Sequence, residues 1–243
     1  PGRVRIFREE RITRAVQGSG LMKLKRSFCL ASVLLLTSVL LELHADKKKQ
    51  AIGIFDQSTD IGEEILQGSS SYDPLKKQYT VKGGGADIWG SGDDFRFLWR
   101  KVSGNWLTLT CTLEVPPEAD DPYPKAGLMF RTSLERNAPF VDVVLHANDT
   151  IALQFRRETG GPTGQIMTPV RGNRLMLERK NDWFVIWVGT PDGGFTECGS
   201  IDMDLPQTFY AGLAVCAHDP DKLLTVRFSD VTLETDSEGH LGP

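Results

Sequence analysis

Five side chains able to hydrogen-bond a polar ligand recur in the middle of the chain: Arg131, Asp142, His146, Gln154 and Arg156. Each belongs to a period-two pattern. Over 126–133, Leu128 and Phe130 alternate with Met129 and Arg131. Over 140–146, Val141, Val143 and Leu145 alternate with Asp142, Val144 and His146. Over 151–157, Leu153 and Phe155 alternate with Gln154 and Arg156. An extended chain sends every second side chain to the same face. The links between the three runs, 134–139 and 148–150, are short and rich in turn formers, which favours spatial neighbours. The five polar groups are therefore expected on one solvent-facing sheet surface. Arg131 and Asp142 have a second reading, a cross-strand ion pair that only stiffens the sheet.

Other chemistries find little support. No Gly-x-Ser-x-Gly elbow is present, and neither His146 nor His218 has an obvious serine partner. The run Gly83-Gly-Gly85 is not followed by Gly-Lys-Ser/Thr, so it reads as a turn rather than a phosphate cradle. Cys111, Cys198 and Cys216 show neither a CxxC pair nor a zinc spacing with histidine. Their odd number leaves two readings open, one bridge plus a free thiol or three buried thiols.

Strand signals dominate the elements that must carry these groups. Tyr79-Thr-Val81 precedes the expected glycine turn at 82–85. The runs 95–100 and 106–113 alternate, the second with Thr108, Thr110 and Thr112 on one face. Runs 175–179 and 183–188 flank Lys180-Asn-Asp182, a hairpin turn. Runs 210–218 and 224–233 close the chain. Only 61–67 suggests a short helical piece. Ten to twelve short strands with turns between describe an all-β sandwich, an antiparallel two-sheet jelly roll.

The chain has 243 residues, ordinary globular composition and a net charge of −4. That balance argues against a nucleic-acid clamp, which needs a basic face. The first 45 residues read differently from the rest. Met22-Lys-Leu-Lys-Arg26, an apolar run over 28–41 and Ala45 match the three regions of a secretory signal; the competing reading is an uncleaved membrane anchor, for which the run is short and ended by Glu42. Residues 1–21 are read as a non-native upstream extension, 22–45 as a signal peptide and 46–54 as a linker. The sandwich is expected over 55–235, followed by a flexible tail, 236–243. The first 45 residues hold eight Lys/Arg and three Asp/Glu, so the remainder carries 20 basic against 29 acidic side chains, a net −9. Such a domain is expected in the periplasm, the envelope or the medium, with no membrane contact after cleavage and no nucleic-acid partner.

Four blocks carry a family resemblance. They are Tyr79-Thr-Val-Lys-Gly-Gly-Gly-Ala-Asp-Ile-Trp-Gly90 with Asp93-Asp-Phe-Arg-Phe-Leu-Trp99, Lys125-Ala-Gly-Leu-Met-Phe-Arg131, Arg174-Leu-Met-Leu-Glu-Arg-Lys180, and Tyr210-Ala-Gly-Leu-Ala-Val-Cys-Ala-His-Asp219 with Phe228-Ser-Asp-Val231. Together they resemble secreted bacterial domains of the concanavalin A-like, laminin-G-like jelly-roll superfamily, closest to a group once labelled as regulators of enolase. The resemblance covers about residues 55–235.

It implies a concave sheet face that holds a glycan, with Arg131, Asp142, His146, Gln154 and Arg156 bonding hydroxyls and Trp89 exposed for stacking. Tyr123 is a further candidate platform; Trp99 and Trp187 are others, with core packing as the stronger reading for both. The leading expectation is a non-catalytic, lectin-like binding domain for a polysaccharide. One alternative is a glycoside hydrolase or lyase on the same face. The Glu-x-Asp-x-x-Glu signature of jelly-roll glucanases is absent, so a hydrolase would have to bring together carboxylates from separate strands, such as Asp142 and Glu178. A further alternative is an envelope scaffold that binds a protein partner. Relatives also place a structural Ca²⁺ at the rim, where Asp56, Asp60 and Asp230 would meet if the first and last strands pair; the competing reading is three solvated loop acids.

Overall fold

Alternating apolar side chains build a two-sheet sandwich in the computed structural model, which describes residues 51–63, 66–116 and 121–236. The extension and signal (1–45), most of the linker and nearly all of the tail lie outside the described residues. The strands are β1 Gln57–Ile61, β2 Ser69–Asp73, β3 Gln78–Gly85, β4 Ile88–Trp89, β5 Gly92–Asp93, β6 Phe95–Ser103, β7 Trp106–Glu114 and β8 Lys125–Arg131. They continue with β9 Phe140–His146, β10 Ile151–Arg156, β11 Thr163–Thr168, β12 Arg174–Lys180, β13 Trp183–Gly189, β14 Phe195–Asp202, β15 Thr208–Cys216 and β16 Asp219–Thr235. One seven-stranded antiparallel sheet runs β1-β6-β15-β8-β9-β10-β11. The other runs β14-β13-β12-β7-β16-β3-β2, and β4 and β5 form a separate two-stranded hairpin. This is an antiparallel two-sheet jelly-roll sandwich. Among the described residues no helix is long and apolar enough to cross a membrane.

The main core lies between the sheets. Leu107, Leu109, Cys111 and Leu113 of β7 face Leu128 and Phe130 of β8 and Val141 and Val143 of β9, all buried. Each such side chain contributes roughly 1.5–3 kcal/mol when removed from water. Thr108, Thr110 and Thr112 stay half-buried on the outer face, as the alternation requires. The Lys180-Asn-Asp182 turn forms as expected: Lys180 pairs with Trp183, and Asn181 takes φ 56°. Cys111, Cys198 and Cys216 are all free.

A second, smaller core sits on the outer face of the first sheet. Ile88 of β4 packs there with Phe95, Phe97, Met129, Phe140 and Ala214. The β4–β5 hairpin thus roofs part of the surface expected to face solvent.

Two local expectations change. The glycine run is the end of β3, not a turn. Its backbone passes so close to the first sheet that a Cβ on Gly83 would enter the Val215 carbonyl, and one on Gly85 the Asp94 carbonyl. Gly85 also holds φ 110°, a value that L side chains rarely adopt. Gly85→Ala is expected to lower stability by about 2–4 kcal/mol, read as a shift in urea midpoint. A shift under about 1 kcal/mol would show that the strand can move away. The helical piece expected over 61–67 does not form in its described residues: Ile61 closes β1, and Gly62 breaks the chain direction at φ 126°.

Candidate functional site

The three central runs are neighbours in the order β8-β9-β10. Register places Asp142 between Met129 and Gln154, and Phe140 between Arg131 and Arg156. Lys125 lies opposite His146. Arg131, Asp142, His146, Gln154 and Arg156 therefore share one face, turned away from the main core. That face is not solvent-exposed as expected. Arg131, Asp142 and Arg156 are 0% exposed, Gln154 1% and His146 5%. The cause is the roof: the hairpin covers one end of the face.

Under that roof, the arginines do a structural job. Arg156 donates to both carboxylate oxygens of Asp93, Nη2 to Oδ1 at 2.6 Å and Nη1 to Oδ2 at 2.8 Å. It also donates to the Gly90 carbonyl at 3.1 Å. Arg131 Nη1 reaches the same carboxylate at 3.3 Å, while its Nη2 and Nε donate to the Glu135 and Ser133 carbonyls at 2.6 and 2.7 Å. Burial pushes the Arg131 guanidinium down to about 10, against the pull of Asp93. Both arginines are thus corrected from ligand contacts to anchors of the hairpin. The suggested Arg131–Asp142 ion pair does not form; Asp93 takes that role.

The open part of the face is a cleft of about 430 Å³. His146 and Gln154 line its floor side, Lys125 one end, and Gln165 and Met167 of β11 one wall. Trp89, Tyr123, Asp87 and His218 complete the rim. Trp89 and Tyr123 expose 37% and 54% of their surface. Lys125 ties the rim together: its ammonium pairs with Asp87, donates to the Ile88 carbonyl at 3.4 Å, and lies 5.7 Å from the Trp89 ring centre. His218 joins Asp121 (Nδ1 to Oδ2, 2.7 Å) and Asp87 (Nε2 to Oδ2, 3.5 Å), and its ring is 5.6 Å from Tyr123. Slight burial acts against it, but the Tyr123 N–H and the His218 ring hold the Asp121 carboxyl below its usual range.

Of the predicted residues, Trp89, His146 and Gln154 line the cleft. Asp142 lies beside it, directly across from Gln154. Tyr123 stands at the rim, whereas Trp99 packs in the second core with its indole N–H on Thr59 at 3.1 Å. Trp187 sits in β13 of the other sheet and donates to Glu178 at 3.1 Å. Asp142 and Glu178 do not converge. Their strand neighbours Val141, Val143 and Leu177 face the shared core, so the two carboxyls point from opposite outer faces. No hydrolytic pair is formed by them.

The three rim acids do not meet either. β1 and β16 belong to different sheets. Asp60 accepts from Arg96 at 2.8 Å and from the Gly68 N–H, and Asp56 accepts from the Lys101 N–H at 3.1 Å. Asp230 lies in a bulge of β16 at φ 51°. Among the described residues, no group of three or more His, Cys, Asp or Glu is placed to hold a metal ion.

Lys125, Asp87, Gln165, Met167 and His218 escaped the sequence reading. Lys125 and His218 lie within quoted family blocks but carry no pattern of their own. β11 begins inside Gly160-Gly-Pro-Thr-Gly164, a run whose glycines and proline carry loop signals.

No family model and no curated protein matches the sequence. Among solved structures, a functionally unknown protein from Saccharomyces cerevisiae aligns at TM-score 0.55 and 16% identity, over 72% of this chain and 98% of that one. The carbohydrate-binding module CBM66 from Bacillus subtilis aligns at TM-score 0.48 and 17% identity, over 75% and 98%. Basic winged bean lectin, solved with Tn-antigen, aligns at 0.41 and 12%, over 74% and 97%. The first likeness supports the sandwich fold and nothing finer.

Proposed function

We propose that this is a non-catalytic carbohydrate-binding domain, exported from the cytoplasm, whose site is the cleft between Trp89 and β11. The observation that carries this reading is the pairing of exposed rings with planar amides in one depression. Trp89 and Tyr123 offer faces on which sugar C–H groups stack. Gln154 donates to Gln165 at 3.2 Å, so the two amides form a connected polar strip along one side. Lys125 under Trp89 fixes the ring before a ligand arrives, which lowers the ordering cost of binding.

A glycan array and pull-down on insoluble polysaccharides test this. Trp89→Ala should weaken retention roughly tenfold or more, because a stacking face is lost. Its unfolding midpoint should change little, since the indole is partly exposed. Full retention by the Trp89→Ala, Tyr123→Ala double variant would place the ligand elsewhere.

A further inference from the structure

The cleft side of the first sheet holds three buried polar side chains whose hydrogen-bonding capacity is unmet. Neither carboxyl oxygen of Asp142 has a partner, nor does Gln154 Oε1, nor His146 Nδ1. All three project from the adjacent strands β9 and β10 on the same face. Buried polar atoms are almost always paired, because an unpaired one is costly. Two of the three, His146 and Gln154, line the cleft itself.

The chemistry left over is biased and uncharged. The Gln154 amide nitrogen is engaged by Gln165, so the group without a partner is a carbonyl oxygen, an acceptor. Burial and the neighbouring Lys125 push His146 down to about 4, so its ring is neutral at physiological pH and one nitrogen accepts. Lys125, the one lysine lining the cleft, is held by Asp87. His218 lies between two carboxylates. Among the described residues, every basic side chain lining the cleft other than the neutral His146 is already paired with a carboxylate, so none is left free for a ligand's own negative charge.

Resting on the carbohydrate reading above, we infer that the cleft selects uncharged sugars, whose hydroxyl hydrogens meet the unpaired acceptors Gln154 Oε1 and His146, and rejects uronate or sulfated chains. A hydroxyl donates where a carboxylate cannot. A carboxylate on the same sugar position would face acceptors with no compensating cation.

The test uses the full chain and matched pairs of polysaccharides in affinity electrophoresis: galactan against polygalacturonate, and mannan against alginate. A neutral member should retard the protein at least about tenfold more than its acidic counterpart. Gln154→Met should weaken that retardation about tenfold, while its unfolding midpoint stays level or rises because an orphan acceptor is gone. His146→Phe is the second variant, with the same two readouts. Stronger retardation by the acidic polymers overturns this inference and leaves the carbohydrate reading standing. So does unchanged retardation with both variants. No retardation by any polymer, neutral or acidic, overturns both.

Discussion

Asp93→Asn lowers the stability of the domain by about 3–5 kcal/mol, the largest effect expected of any single polar substitution here. The Asp93 carboxylate lies at 0% exposure between two guanidiniums that are also at 0%. Asparagine keeps the size and removes the charge. Arg131 and Arg156 then keep their backbone carbonyl partners but lose the one anion that, among the described residues, is paired with either. Two buried cations beside one another are the costly outcome. A drop in urea midpoint read through tryptophan fluorescence measures it. On the proposed carbohydrate reading, glycan retention should fall as well, because Asp93 belongs to the hairpin that carries Trp89. A loss under about 1 kcal/mol would mean that the roof is not held by this charge cluster.

The second large effect is a pair of opposite pH slopes. His146 is held neutral down to about 4, largely by burial. In the unfolded chain the same ring takes up its proton near pH ~6.5. Between these values the unfolded state binds more protons, so this ring's contribution to stability is full above pH ~6.5 and is lost as pH falls toward 4. The loss approaches ~3 kcal/mol. Asp142 acts the other way. Burial raises its carboxyl well above the usual carboxylate range, only partly offset by Lys125. The native state keeps a proton that the unfolded chain releases near pH ~4. Its contribution is therefore full below that pH and lost as pH rises toward the folded value.

In the parent chain the two slopes oppose each other from pH ~4 upward, for as long as native Asp142 keeps its proton and unfolded His146 still takes one up. Separated, they should show plainly. His146→Gln gains stability over the parent as pH falls below ~6.5; Asp142→Asn gains over the parent as pH rises above ~4. Chemical denaturation at half-unit pH steps checks both. Differences that stay flat across the window would show that neither group changes its protonation on folding.

How much of this was legible beforehand can be followed through single residues. Period-two alternation placed Asp142, His146 and Gln154 on one face, because strand geometry leaves no other choice once the core side is apolar. That the second and third runs are neighbours followed from the short 148–150 link; the register that sets Gln154 against Asp142 emerged only in the fold. What covers the face was not legible. β4 and β5 are two residues each, too short to leave a periodic trace, and their position depends on a carboxylate at Asp93 that meets arginines 38 and 63 residues away. The glycines at 83–85 look the same in a turn as in a strand crowded by another sheet. β11 was hidden by the glycines and proline before it, and the cleft's far wall with it. Rim charges such as Lys125 and His218 acquire meaning only from partners distant in sequence.

That far wall has an evolutionary consequence. β11 is an edge, bonded to β10 alone, and none of its residues belongs to either apolar core. Ile166 and Met167 expose 37% and 48% of their surface. Substitutions at Gln165, Ile166 and Met167 disturb one ladder and neither core, unlike changes at Thr163, which donates to the Gly90 carbonyl, or at the buried Thr168. The Trp89 wall is the reverse, pinned by a buried charge cluster that tolerates little change. Divergence among descendants of this chain should therefore be lopsided, with the shape and polarity of the cleft drifting through β11 while the Trp89 wall and the sandwich stay as they are.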